Sequence, residues 1–88
     1  MSRVRIKSLN KSDSIPLQGR EITLRNFSDL PVVVENEFTL PPRREVSTGI
    51  FWPYELTLND IGTNIDLVWK FKFNEAASVK RIEIIERA

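Results

Sequence analysis

The stretch Ile65-Asp66-Leu67-Val68-Trp69-Lys70-Phe71-Lys72-Phe73 decides the fold. Ile65, Leu67, Trp69, Phe71 and Phe73 recur at every second position. A β-strand turns successive side chains to opposite faces, so these residues are expected to point inward together. Asp66, Lys70 and Lys72, with Val68 among them, take the other face. This is the pattern of a strand with one wet and one buried face, and the same spacing would scatter the apolar groups around a helix.

The chain around this strand is short. Its 88 residues suffice for one domain, 1–88, with a thin core. Hydrophobic residues make up 41% and charged residues 28%, which places the chain among ordinary globular proteins. The net charge of +1 gives no long-range pull toward nucleic acid or an anionic membrane. There is no cysteine, which favours a reducing compartment or a fold stabilised by a partner. The longest uninterrupted apolar run, Leu30 to Val34, is far below the ~20 residues that span a bilayer. The basic start, Arg3 to Lys7, is not followed by an apolar segment, so no signal peptide is expected. The expected location is cytoplasmic or within a virion. The Asn-x-Ser sites at Asn10 and Asn26 then read as chance matches.

Further strands follow from the same alternation. Arg3 to Lys7 reads as a strand with Val4 and Ile6 inward and a basic outer face suited to a sheet edge. Pro16 lacks an amide hydrogen and marks an edge or a turn. Glu21 to Arg25 is bounded by turn signals and places Ile22 and Leu24 on one face. Asn26-Phe27-Ser28-Asp29-Leu30-Pro31 is a turn whose short polar side chains can bond their own backbone. Val32-Val33-Val34 suits a strand buried on both sides, and Phe38 and Leu40 resume the alternation before Pro41-Pro42 stops it. Val46 opens a short strand ending at Gly49. Tyr54, Leu56 and Leu58 share a face of another. The last strand runs from Val79 to Glu86. It requires either a bulge near Lys80-Arg81 or cover on both faces, because Val79 and Ile85 are out of phase with Ile82 and Ile84.

These elements predict an all-β fold: about six or seven short strands in a small antiparallel β-sandwich, Ig-like in a loose sense, with a small OB-like barrel as the alternative. The strands at 54–58, 65–73 and 79–86 are expected to form a meander centred on the long strand. The succession of strand, Asn-x-Ser turn, Val-rich strand, Leu-Pro-Pro and strand, from Glu21 to Val46, resembles small β-sandwich proteins of phage particles, such as capsid decoration or tail-associated modules. That resemblance implies a partner built of many identical subunits, with affinity multiplied by avidity.

Chemistry is narrowed mainly by missing residue types. Without histidine or cysteine, Ser-His, Cys-His and His-metal arrangements are closed. The three glycines are isolated, so there is no phosphate-binding loop. Asp60-Ile61-Gly62-Thr63-Asn64-Ile65-Asp66 spaces oxygen donors as calcium accepts them, but Phe71 stands where an EF-hand needs glutamate. The plainer reading is a self-bonded turn. Neither a metal site nor a cofactor nor catalysis is expected.

The remaining candidate is adhesive. Ile50-Phe51-Trp52-Pro53-Tyr54 is the densest aromatic patch and follows Arg43-Arg44. Its plainer reading has Phe51 or Trp52 plugging one end of the core. Its functional reading exposes Arg43, Arg44, Phe51, Trp52 and Tyr54 as a protein contact, since aromatics and arginine dominate such surfaces. The expected function is non-enzymatic binding or assembly through a protein partner or identical subunits, most concretely as a structural or decoration-type component of a phage particle. The last strand, with its two apolar faces, is a second candidate surface. The alternatives are an OB-like module for single-stranded nucleic acid, or a small inhibitor of a host enzyme. No membrane partner is expected.

Overall fold

The computed structural model describes residues 4–35, 37–59 and 65–87. They form ten strands and no helix: β1 Val4–Leu9, β2 Asp13–Gly19, β3 Glu21–Asn26, β4 Val32–Val34, β5 Phe38–Leu40, β6 Arg44–Ser47, β7 Ile50–Trp52, β8 Tyr54–Asn59, β9 Ile65–Phe73 and β10 Ile82–Arg87. Two four-stranded antiparallel sheets, ordered β1-β10-β3-β8 and β2-β9-β4-β5, enclose the core as a sandwich. A separate two-stranded hairpin, β6-β7, stands apart from both. Arg3 and the 60–64 segment, which carries most of the oxygen donors considered for calcium, lie outside the described residues.

The core is one cluster. The first sheet supplies Leu9, Ile22, Leu24, Ile82 and Ile84, and the second supplies Leu17, Val32, Val34, Leu40, Ile65, Trp69, Phe71 and Phe73. β9 runs through the second sheet between β2 and β4 and has the inward face expected of it, with one exception. Leu67 is 41% exposed although it shares that face. At Leu67 the neighbouring strand is β2 alone, because β4 flanks β9 only at Phe71–Phe73. Trp69 keeps its cover because Phe38 meets it edge-on, with ring centroids 5.2 Å apart.

The expected meander does not form. β8 and β10 both pair with β3 in the first sheet, whereas β9 lies in the second. Alternation states which face of a strand is buried, not which strand lies beside it. The 74–81 connection is therefore a crossing between sheets and not a hairpin loop. The final strand begins at Ile82 with no bulge, and it lies inside its sheet between β1 and β3. Its second apolar face is covered in place, with Ile85 5% exposed, so β10 offers no adhesive surface. Likewise Val32 and Val34 are buried but Val33 is 44% exposed, so β4 has one covered face.

β1 has the opposite phase to the one expected: Val4 and Ile6 are exposed, and Leu9 enters the core. The cause is electrostatic. Glu86, buried on the face of β10 that carries Ile82 and Ile84, accepts the Gln18 amide at 2.6 Å. Its other oxygen lies 3.1 Å from Lys7 Nζ, a contact that supplies charge without hydrogen-bond alignment. A buried carboxylate requires a nearby cation, so β1 turns Lys7 inward. Pro16 falls inside β2, an edge strand, as its missing amide hydrogen demands. At the end of β2, Gly19 adopts φ +141°, and a Cβ there would meet the Arg87 carbonyl oxygen at 2.7 Å.

The contrast within β9 is testable by chemical denaturation. Trp69→Ala should cost ~3–5 kcal/mol because it empties a packed site. Leu67→Ala should cost only ~1 kcal/mol, since Leu67 is already 41% exposed. Equal losses would show that the two residues are equally buried.

Candidate protein-contact site

The site begins at a polar knot below it. Asn26, the last residue of β3, is completely buried. Its Nδ2 donates to the carbonyl oxygens of Pro41 at 2.8 Å and Leu40 at 3.4 Å, and its Oδ1 accepts the Ser28 amide at 2.9 Å. Ser28, also fully buried, donates from Oγ to the Arg81 carbonyl and accepts the Arg81 amide at 3.0 Å. The Ser28 carbonyl in turn accepts the Arg43 amide at 3.0 Å. Asp29 accepts the amides of Ser78 and Val79, each at 3.2 Å. The Arg81 guanidinium covers the Phe27 ring at 4.8 Å. The predicted turn at 26–31 thus bonds partly to itself and mostly to two distant segments, 40–43 and 78–81. Burial of Asn26 also removes it as a glycosylation acceptor in the folded chain.

The 40–43 segment is the root of the β6-β7 hairpin. Every residue of both strands is exposed. Arg44 lies opposite Trp52, Glu45 opposite Phe51 and Ser47 opposite Ile50, with Val46 the extra residue of a bulge. Thr48 and Gly49 make the turn, and Gly49 takes φ +75°, a region open to glycine. Trp52 is 59% exposed, Ile50 53% and Phe51 41%. Neither Phe51 nor Trp52 plugs the core.

The five residues singled out from sequence lie together. The Arg43 guanidinium stacks on the Phe51 ring, 4.0 Å from its centroid. This holds both side chains in place through a cation–π contact. Arg44, Trp52 and Tyr54 line an open cleft of about 490 Å³ with Pro41, Pro42, Arg43, Pro53 and Glu55. The prolines give it rigid apolar walls. Glu55 is engaged by Arg25, Nε to Oε2 at 2.9 Å, whereas Arg44 has no ion-pair partner among the described residues. The cleft therefore offers an aromatic and proline surface beside one available guanidinium. Its ionisable groups are two arginines, one tyrosine and one paired carboxylate, a set suited to holding an apolar group next to an anion. Sequence reasoning missed the positioning residues Asn26, Ser28, Asp29 and Arg81. The Asn-x-Ser-Asp run signalled a turn, but nothing in it named the segments the turn would grip.

Two measurements address the knot. Asn26→Ala should lower stability by ~2–4 kcal/mol, because it strips partners from a buried carbonyl and a buried amide. Urea unfolding checks it. Asp29 is held below the ordinary aspartate value of 3.8, first by the Val79 amide, then by that of Ser78, with Arg43 adding attraction and desolvation opposing. A depressed folded pKa stabilises fully above the unfolded value, and that contribution is lost as pH falls through the folded one. Thermal melts taken from ~pH 5 to ~pH 2 should show a shallower acid loss in Asp29→Asn than in the parent.

A comparison of the chain with known protein families, with characterised proteins and with solved structures matches nothing.

Proposed function

We propose that this chain is a non-enzymatic protein-binding module that engages its partner through the β6-β7 hairpin and the cleft at its root. The observation that carries this reading is the hairpin itself. It holds Val46, Ile50, Phe51 and Trp52 in solvent while contributing nothing to the core cluster. Exposed large apolar groups gathered in one place are a mark of interaction surfaces. Tryptophan, tyrosine and arginine are the residue types that dominate their energetics. The knot at Asn26 fixes the root, so presenting the aromatics involves little ordering on binding. The partner surface this favours offers an apolar group for the cleft and a carboxylate for Arg44.

The proposed setting is assembly on a particle of repeated protein subunits, the context implied by the likeness of Glu21 to Val46 to phage β-sandwich modules. There a modest single contact is multiplied by avidity.

Trp52→Ala is the decisive variant. Its melting temperature should match the parent, while capture of the native partner, or incorporation into purified particles, should be lost. Retained capture would overturn the hairpin as the contact. Binding of single-stranded DNA or RNA at ~50 mM salt that falls steeply with added salt would transfer the site to nucleic acid.

A further inference from the structure

The four sheet edges differ in how they discourage further pairing. β1 carries Arg5 and Lys7, β2 carries Pro16 inside the strand, and β5 is only Phe38–Leu40, ended by Pro41-Pro42. Positive charge, internal proline and shortness are the usual devices that blunt an edge. β8, Tyr54-Glu55-Leu56-Thr57-Leu58-Asn59, has none of them. Its one charge, Glu55, is neutralised by Arg25. One side of β8 pairs with β3 along its whole length. Among the described residues no backbone hydrogen bond reaches the other side. Leu56 and Leu58 face the core yet stay only partly buried.

We propose that β8 is a self-association edge, on which a second copy of this chain adds its own β8 antiparallel across a two-fold axis. The chemistry of the edge is self-complementary. With Thr57 at the axis, Leu56 meets the partner's Leu58 on the inner face, and Thr57 meets its own symmetry mate on the outer face. Glu55 then lies opposite the partner's Asn59, so no like charges oppose. The same operation at β1, with Ile6 at the axis, would set Arg5 against the partner's Lys7. Two first sheets joined in this way form one continuous eight-stranded sheet, and the half-covered Leu56 and Leu58 gain the neighbour that each lacks. Isologous pairing of this kind closes on itself and stops at a dimer. This edge adjoins the cleft, which Tyr54 and Glu55 also line, but it uses neither β6 nor β7 and does not depend on the hairpin contact.

Sedimentation of the whole chain across a dilution series tests the proposal. The parent should show a dimer that dissociates on dilution, with β8 amides protected from hydrogen exchange in the dimer and released in the monomer. The variant Thr57→Lys alters one exposed position and sets two lysines, one from each copy, against each other at the two-fold axis. It should remain folded by circular dichroism and sediment as a monomer. Trp52→Ala should sediment as the parent does. A parent that stays monomeric at every concentration overturns the proposal, as does a dimer that survives the two lysines or one that Trp52→Ala abolishes. Should the lysine variant fail to fold, the parent's concentration-dependent exchange at β8 decides alone, and unchanged exchange rejects it.

Discussion

Asn26 sits where the hydrophobic core ends, level with Ile82 on one side and Tyr54 on the other. Its carboxamide is sealed from water, so each polar atom must find a partner in the protein or destabilise the fold. The partners it finds are the carbonyls that end β5 and the amide that begins the next turn. Ser28 extends the same requirement to Arg81 and Arg43. Satisfying these few buried groups therefore fixes three segments far apart in sequence. One of them is the root of a hairpin with no core contact of its own. The hairpin is placed by hydrogen bonds beneath it, which leaves its side chains uncommitted.

That division of labour explains which parts of the molecule could be read from the chain. The face of β9 was legible because Trp69, Phe71 and Phe73 repeat with period two and only a strand aligns them. Leu67 shares the period but not the burial, and no local pattern encodes that difference. The phase of β1 was misread for a related reason. Val4 and Ile6 form a natural inward pair, and only the distant Glu86 calls Lys7 to that side instead. The neighbours of β8, β9 and β10 were likewise invisible, because periodicity marks faces and is silent about adjacency.

The candidate site was legible in its composition and not in its construction. Arg43, Arg44, Phe51, Trp52 and Tyr54 stood out as aromatic and basic residues near prolines. Whether Phe51 and Trp52 were core or surface turned on the hairpin projecting from the sandwich, which depends on the knot at Asn26. The prolines read as strand terminators also line the cleft. They do both because the same fixed backbone that ends a ladder makes a firm apolar wall.

The pairing of β1 with β10 brings Val4 beside Arg87, near opposite ends of the sequence. Contacts of such separation are slow to form, because almost the entire chain must be looped before they can hold. During synthesis β1 emerges well before its partner strand and the Glu86 carboxylate that orients it. Val4 and Ile6 must therefore wait in solution until the rest of the chain appears. Arg5 and Lys7 between them add repulsion between nascent copies over that interval. The alternating charge on β1 thus acts before the fold exists as well as within it, keeping this strand single until its own chain can complete the first sheet.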